Sequence, residues 1–189
     1  MKDQSPLEEE IKIPCAHLDP VRIALERLGG RCIARSRRES NVLFDTPDGQ
    51  LAHAGRALRL RRIDDRWILT FKGPATWRGP VKTREELETF VDDGEVLVAI
   101  LARLGLRPAV RYEKDRETWR CEDAEVALDH TRMGDFVEIE GPRASLAPLA
   151  RRLGLDAGRA ARASYVTLWA RYRREHPELA LPFDMIFDR

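Results

Sequence analysis

The sequence predicts an α+β fold in which eight antiparallel strands close into a β-barrel that α-helices cover from outside. Roughly eight segments alternate charged and apolar side chains with the period of two that is typical of a β-strand. Short turns separate several of these segments, which favours antiparallel pairing between neighbours in the chain. Four other segments carry apolar residues at helical spacing, and these predict the helices that flank the barrel.

The first strand shows the pattern most clearly. Glu8, Glu10 and Lys12 lie on one of its faces, while Ile11 and Ile13 lie on the other. Taken alone, this strand could simply be half buried, with its charged face in solvent. The same alternation recurs in the later strands, so a common reason for the charged faces is needed.

The remaining elements follow from local signals. A helix over 19–28 begins at Asp19-Pro20 and ends at Gly29-Gly30, and the turn Thr46-Pro47-Asp48-Gly49 separates two parts of the sheet. The further predicted strands cover 32–35, 41–45, 57–63, 66–72, 81–90, 107–122, 125–129 and 136–140, and the further helices cover 92–104, 146–153 and 159–174. We expect Trp169 to belong to the core, and the tail over 177–189 to fold back onto the domain.

Composition indicates one domain and sets limits on its partners. A chain of 189 residues with 43% hydrophobic content suits a single domain over 1–189, with a core over about 7–172. The 33 Lys and Arg almost balance the 32 Asp and Glu, so we expect no nucleic-acid partner. No leader or membrane-length apolar stretch is visible, and Cys15, Cys32 and Cys121 form no CxxC pair. We therefore expect a soluble cytoplasmic protein without a membrane partner.

The charged strand faces are the strongest argument for a closed barrel. They cannot form the core of a sandwich, because an unpaired buried charge costs several kcal/mol. An open sheet with this face in solvent is the alternative, but the face has almost no Ser, Asn or Gln. We predict a water-filled channel lined by Glu8, Glu10, Lys12, Arg59, Arg61, Lys72, Arg84, Glu86, Glu88, Lys114, Arg116, Asp129, Glu138 and Glu140.

The residue types in this channel indicate phosphoryl chemistry. Arg and Lys side chains in number suit a ligand with several phosphates. The acids Glu8, Glu10, Asp129, Glu138 and Glu140 are hard oxygen ligands suited to Mg²⁺ or Mn²⁺. For each acid, an ordinary salt bridge to a channel cation is the alternative.

The motifs resemble, in order, those of the CYTH family, also called triphosphate tunnel metalloenzymes, over about residues 7–172. The ExExK signature is present as Glu8, Glu10 and Lys12. It is followed by Phe44-Asp45-Thr46-Pro47, Leu58-Arg59-Leu60-Arg61, Thr70-Phe71-Lys72-Gly73-Pro74, Arg84-Glu85-Glu86, Lys114-x-Arg116, Leu128-Asp129 and Glu138-Ile139-Glu140. The resemblance implies that the barrel is a tunnel that holds a triphosphate.

The resemblance also assigns roles to single residues. It implies that triphosphate is bound by Lys12, Arg59, Arg61, Lys72, Arg84, Lys114 and Arg116, and that metal is bound by Glu8, Glu10, Asp129, Glu138 and Glu140. Lys12, Arg59 and Lys72 are the predicted catalytic residues. Glu86 and Glu88 are either further ligands or neutralise neighbouring arginines.

Three functions are compatible with this reading. The first is a Mg²⁺- or Mn²⁺-dependent triphosphatase acting on inorganic tripolyphosphate or a small organic triphosphate such as thiamine triphosphate. The second is a class IV adenylyl cyclase that makes cyclic AMP and pyrophosphate from ATP. The third is a sensor that binds polyphosphate or nucleotide without turnover. The physiological substrate and the oligomeric state stay open, and a homodimer is one alternative.

Overall fold

The computed structural model describes residues 7–188, so the N-terminal segment before Leu7 and the last residue of the tail lie outside it. The strands are β1 (Leu7–Cys15), β2 (Arg31–Asp45), β3 (Ala57–Ile63), β4 (Arg66–Lys72), β5 (Thr76–Arg78), β6 (Val81–Val91), β7 (Arg107–Cys121), β8 (Ala124–Thr131) and β9 (Gly134–Glu140). The α-helices are α1 (Asp19–Arg27), α2 (Gln50–His53), α3 (Gly94–Arg103), α4 (Arg143–Arg152) and α5 (Tyr165–Glu175), and short 3₁₀ helices cover Ala157–Arg159 and Pro177–Leu179.

Eight of these strands form a closed antiparallel barrel, as the sequence predicted. Their order around the barrel is β1-β9-β8-β7-β2-β3-β4-β6, and β6 pairs back onto β1 with Glu8 opposite Arg84. The short β5 pairs only with the first three residues of β6, Val81 to Thr83, and is not one of the eight barrel strands. In a closed barrel, each strand has one face toward the barrel interior and one face toward the outside, where the helices pack.

Some element boundaries differ from the predictions. The two strands expected at 32–35 and 41–45 are one strand, β2, which stays paired with β7 across bulges near Cys32 and Ala34. These bulges disturb the alternation of side chains, which explains why the sequence pattern appeared interrupted. The segment between the strands predicted at 66–72 and 81–90 contains β5, which was not predicted, and neither was α2. The last helix begins at Tyr165, because the hydroxyl of Ser164 accepts a hydrogen bond from the Thr167 N–H at 3.1 Å.

The apolar strand faces point outward and build the core against the helices. Ile11, Val137 and Ile139 of the barrel pack with Leu25 of α1 and Leu146 of α4, and all are fully buried. A second cluster joins Phe44 and Leu60 to Leu101 of α3. The hydrophobic core therefore surrounds the barrel, and the inward faces are left to carry charge.

Helix α5 and the C-terminal tail close a gap in the barrel wall. Strand β8 pairs only with residues 115–121 of β7, so the first half of β7 lacks a neighbour on that side. Met185 of the tail fills this place, because its N–H donates to the Arg111 carbonyl at 3.0 Å and its carbonyl accepts from the Glu113 N–H at 2.7 Å. Trp169 is 2% exposed and donates to the Phe183 carbonyl at 3.0 Å, so both the core position of Trp169 and the folded-back tail are confirmed.

Within residues 7–188, none of the helices combines the length and apolarity needed to cross a bilayer.

The contact between α3 and the barrel gives a stability prediction. Gly94, the first residue of α3, is buried against the Trp67 ring, and an added Cβ would overlap that ring. We expect Gly94→Ala to lower the free energy of unfolding by about 1–3 kcal/mol, as overpacking does. Denaturant unfolding measures this. Val96→Ala on the same helix is the control, because Val96 is 54% exposed and its truncation should change stability by less than about 0.5 kcal/mol. Equal stability of Gly94→Ala and the wild type would contradict the packing described here.

Candidate active site

The barrel encloses a cavity of about 580 Å³ whose wall is mostly charged. Every residue predicted to line the channel does line it, except Asp129. The pleat of the strands brings these side chains inward, because residues two apart share a face. The lining also includes residues that were not among the predicted site residues: Tyr112, Lys82, Glu125 and the N-terminal residues of α5, Ser164 to Thr167.

Asp129 lies beneath the cavity wall and is completely buried. Its carboxylate accepts hydrogen bonds from Lys114 at 3.0 Å, from Arg116 at 2.7 and 2.6 Å, and from the Tyr165 hydroxyl at 2.6 Å. Both oxygens are thus bonded to protein donors. In this structure Asp129 fixes the positions of Lys114 and Arg116, and it does not face the cavity.

Glu138 lines the cavity and is also paired with cations. One of its oxygens lies 3.1 Å from the Lys12 ammonium, and the other is bonded to Arg116. Burial alone would raise the pKa of Glu138, but Lys12 and Arg116 hold that pKa well below its usual range. The ammonium of Lys12 also lies 3.7 Å from the centre of the Tyr165 ring. Tyr165 therefore supports this network through both its hydroxyl and its ring.

Two arginines of β3 form another part of the wall. The Arg59 guanidinium is 5% exposed and donates to the Thr70 hydroxyl at 3.0 Å, while its Nε has no hydrogen-bond partner among residues 7–188. Arg61 donates to the Asn41 side chain at 3.3 Å and to Glu39 at 3.4 Å. These contacts orient both guanidinium groups at the cavity wall.

Lys72 and Arg84 face the cavity from β4 and β6. Lys72 donates to Glu86, its partner across the two strands. Burial and the nearby Arg59 lower the pKa of Lys72 to about 7, although Glu86 opposes this shift. Arg84 donates to the Gly73 and Gly55 carbonyls, which hold its guanidinium next to the Lys72 side of the wall.

Four carboxylates form an acid cluster, which we define as Glu8, Glu10, Glu125 and Glu140. The strand register places Glu140 directly opposite Glu10 on one side and Glu125 on the other. Burial, followed by repulsion from Glu86 and Glu140, raises the pKa of Glu8 to about 8. Glu140 is exposed at the end of β9, but loss of water around its carboxylate, followed by repulsion from Glu125 and Glu10, raises its pKa to about 7. Glu10 pairs with Lys82 at 2.6 Å and Glu125 pairs with Arg120 at 3.3 Å, whereas Glu8 and Glu140 form no ion pair among residues 7–188.

The acid cluster fits a divalent cation shared with a substrate. Within the described residues, no three Asp, Glu, His or Cys side chains converge closely enough to form a complete metal site. Mg²⁺ commonly takes only one or two carboxylates and completes its shell with phosphate oxygens and water. A divalent cation would also relieve the repulsion that raises the pKa values of Glu8 and Glu140. By contrast, Asp129 and Glu138 are each bonded to two cations.

The motif Phe44-Asp45-Thr46-Pro47 shapes the wall beside these groups. The Asp45 carboxylate accepts from the backbone N–H groups of Thr46 and Leu51 at 2.8 Å and of Ala52 at 3.0 Å. Burial acts to raise the pKa of Asp45, but these hydrogen bonds outweigh it and lower the pKa. They begin helix α2, whose Ala52 lines the cavity together with residues 55–57. In this chain the motif therefore has a structural role: its aspartate holds the start of α2 against the cavity wall.

Comparison with known proteins identifies the family. The model of the CYTH domain matches residues 8–147. The chain belongs to the CYTH domain family. A protein of Methanocaldococcus jannaschii named "Putative adenylate cyclase" is 32% identical over 135 residues, which cover 71% of this chain and 76% of that protein.

Solved structures show the same fold. The structure of a "putative adenylate cyclase" from Vibrio parahaemolyticus has a TM-score of 0.79 at 20% identity and covers 88% of this chain and 99% of its own. A "putative adenylyl cyclase" from Hippeastrum, described as having a dominant triphosphatase activity, has a TM-score of 0.67 at 20% identity, with 87% and 96% coverage. These CYTH neighbours confirm the closed barrel that the sequence predicted.

Sequence reasoning missed several groups that the structure brings to the site. Lys82 and Glu125 share strand parity with predicted channel residues, so the alternation could have identified them. Glu39 falls between the two strands that were predicted in place of β2, where the alternation was not followed. Tyr165 lies on a helix that the sequence placed outside the barrel, and no local pattern indicates that its ring reaches Lys12.

The Tyr165 hydroxyl provides a direct test of the buried network. We expect Tyr165→Phe to reduce the free energy of unfolding by about 1–2 kcal/mol, because Asp129 loses one of its buried donors. Tyr172→Phe on the same helix is the matched control and should leave stability nearly unchanged, since no side-chain hydrogen bond of its hydroxyl is found among residues 7–188. Thermal or denaturant unfolding of both variants measures the two changes in stability. A loss in Tyr172→Phe as large as that in Tyr165→Phe would rule out the hydroxyl as the cause.

The acid cluster predicts an unusual pH dependence of stability. The folded-state pKa values of Glu8, about 8, and Glu140, about 7, lie above the ordinary value of 4.5. Between about pH 5 and 7 the folded protein therefore binds more protons at these groups than the unfolded chain does. Their contribution must make the free energy of unfolding decrease as pH rises in this window.

Denaturant unfolding at several pH values, without divalent metal, measures this slope. Glu140→Gln should flatten it, whereas Glu95→Gln on the exposed side of α3 should leave it as in the wild type. This comparison also separates the cluster from histidines that titrate in the same window. Addition of Mg²⁺ or Mn²⁺ should flatten the wild-type slope as well. An identical slope in the wild type and Glu140→Gln would show that the cluster is not strained by repulsion.

Proposed function

We propose that this protein is a triphosphatase dependent on Mg²⁺ or Mn²⁺ and acts on inorganic tripolyphosphate or a small organic triphosphate such as thiamine triphosphate. The supporting observation is one cavity that joins a wall of oriented cations to a cluster of carboxylates short of positive charge. A triphosphate with a divalent cation complements both halves. The triphosphatase activity described for the Hippeastrum relative supports the same choice.

Each half of the cavity has its own proposed role. The triphosphate would be bound by Lys12, Arg59, Arg61, Lys72, Arg84, Lys114 and Arg116. The metal would be held by one or two of the carboxylates of Glu8, Glu10 and Glu140, where it would neutralise phosphate charge and activate water. Asp129 and Glu138 belong to the metal-binding set that the family resemblance implies. Because cations now bond their oxygens, phosphate would first have to draw Lys12 and Arg116 away from Glu138.

The chain's own groups account for the remaining steps. The fixed guanidinium groups of Arg59 and Arg61 hold the phosphate chain in one orientation for in-line attack. Lys12 and Arg59 stabilise the negative charge that develops on the transferred phosphoryl group. Lys72, which donates to Glu86 from the same wall, would add its positive charge to this stabilisation.

A class IV adenylyl cyclase is the second candidate, and the names of the archaeal and Vibrio relatives favour it. In that reaction the ribose 3′-hydroxyl of ATP attacks the α-phosphate and pyrophosphate leaves. The same cations would bind the triphosphate, which would lie in the cavity in a different position. Either activity suits an enzyme that works on soluble triphosphates, and we propose the cytoplasm as its location.

Product analysis separates these functions. The purified protein is offered tripolyphosphate, thiamine triphosphate and ATP in separate reactions with Mg²⁺ or Mn²⁺, and phosphate, pyrophosphate and cyclic AMP are measured. We expect phosphate release without cyclic AMP. Cyclic AMP with an equal amount of pyrophosphate would instead establish the cyclase.

Two arginines of β3 give a matched pair for this assay. Arg59→Gln should lower kcat/KM by about 100-fold or more, because a buried donor to the phosphates is lost. Arg62→Gln should keep wild-type activity, since Arg62 is exposed on the other face of the same strand.

To distinguish an enzyme from a sensor, Glu138→Gln and Glu140→Gln are compared with the wild type. An enzyme should lose turnover in both variants. A sensor would show no turnover even in the wild type, and both variants would bind polyphosphate as well as the wild type does or better.

A further inference from the structure

Glu39 is a buried acid placed directly behind the cationic wall of the cavity. It belongs to β2 and is 3% exposed. Its Oε1 accepts a hydrogen bond from Arg61 at 3.4 Å, and its Oε2 lies 3.7 Å from the Lys114 ammonium. This second oxygen has no hydrogen-bond partner among residues 7–188. Glu39 thus faces two cations that line the cavity, although it does not line the cavity itself.

Glu39 carries a full negative charge under physiological conditions. Burial acts to raise its pKa, but Lys114, Arg116 and Arg61 outweigh this effect and bring the pKa to about 2. A buried charge acts more strongly on its neighbours than an exposed one, because water screens it less. Any anion that enters the cavity therefore meets this charge behind the cations that bind it.

The positions of the two cations do not depend on Glu39 alone. Arg61 also donates to the Asn41 side chain at 3.3 Å, and Lys114 also donates to Asp129 at 3.0 Å. With Gln at position 39, both cations keep these partners, and an amide oxygen of the same size can still accept from Arg61. What Glu39 alone contributes is negative charge at this place.

We propose that Glu39 is an internal counter-anion, which weakens the hold of the cavity on phosphate groups and so speeds the release of the phosphate product. The inference rests on the proposed triphosphatase function. A cavity with this many cations binds polyphosphate tightly, and the product of hydrolysis also carries several negative charges. Tight binding that applies equally to substrate and product gains no rate, so a charge that reduces it is useful to turnover.

Calorimetric titration without metal tests this proposal, because binding is then measured without turnover. Tripolyphosphate and pyrophosphate are titrated into the wild type and into Glu39→Gln. We expect both dissociation constants to fall by about tenfold in the variant, since one unit of opposing buried charge is removed. In steady-state assays with Mg²⁺, both KM and kcat of Glu39→Gln should be lower than those of the wild type. We expect the lower kcat because the product leaves the variant more slowly.

Two variants serve as controls. Glu39→Asp keeps the charge and should bind within about threefold of the wild type. Glu117→Gln removes a part-buried acid that pairs with Arg22 on the outer face of the barrel, and it should leave anion binding unchanged. Binding that weakens or stays the same in Glu39→Gln would overturn the proposal, because a residue that only positions Arg61 and Lys114 would produce that result.

A folding defect in Glu39→Gln would not prevent the test. Glu39→Gln combined with Arg61→Gln restores the balance of buried charge, and it is compared with Arg61→Gln alone. Since Glu39 still faces Lys114 in the single variant, the double variant should bind tripolyphosphate more tightly. Equal or weaker binding by the double variant would overturn the proposal.

The same measurements distinguish this proposal from the proposed function. Tighter binding by Glu39→Gln in a protein that hydrolyses no triphosphate would support the counter-anion and refute the triphosphatase. Hydrolysis by the wild type with no gain in affinity in Glu39→Gln would refute only the counter-anion. If neither the wild type nor the variant binds tripolyphosphate, both are refuted.

Discussion

The structure depends on the pairing of charges that the barrel buries. Arg116 donates to Asp129 and Glu138, Lys12 pairs with Glu138, and Lys114 pairs with Asp129, so that two acids and three cations form one network. Removing one member would leave an uncompensated buried charge, which typically costs 3–5 kcal/mol. Tyr165 joins this network to α5, and the tail in turn holds α5 against β7. The arrangement of the outer helices and the order of the interior are therefore linked.

Charge inside the barrel is unevenly distributed, and this gives the cavity its chemical character. Cations surround Asp129 and Glu138, and Lys12 and Arg116 hold the pKa of Glu138 well below its usual range despite its burial. In the acid cluster, Glu140 stands opposite Glu10 on one neighbouring strand and Glu125 on the other, so like charges meet there. One half of the cavity thus has donors for phosphate and the other has a deficit of positive charge. The triphosphate and divalent cation that we propose would complement both halves, whereas either ligand alone would complement only one.

Much of this arrangement could be predicted from the sequence. Strand alternation placed Glu8, Glu10 and Lys12 on one face, and the barrel argument placed that face inside, where the structure has it. Asp129 fits the alternation too, but parity gives only the direction of a side chain. It does not tell whether the side chain ends in the cavity or beneath its wall. That depends on Tyr165 and Arg116, which reach Asp129 from other elements.

Other features depend on tertiary structure that no local pattern records. The bulges of β2 interrupt its alternation, and so Glu39 was not assigned to the interior. Which acids meet other acids across the strands follows from the register, which places Glu140 opposite both Glu10 and Glu125. A single sequence shows which residue types alternate, but not which of them meet across the barrel.

The most direct test of this division of charge is a crystal structure with Mn²⁺ and tripolyphosphate, in which anomalous scattering locates the metal. Our account predicts that Mn²⁺ binds at the acid cluster, with carboxylate ligands from Glu10 or Glu140 and at least one phosphate oxygen. It predicts that the phosphate chain contacts Arg59 and Arg61 inside the cavity. Mn²⁺ bound away from the acid cluster, or tripolyphosphate bound on the outer surface of the barrel, would contradict it.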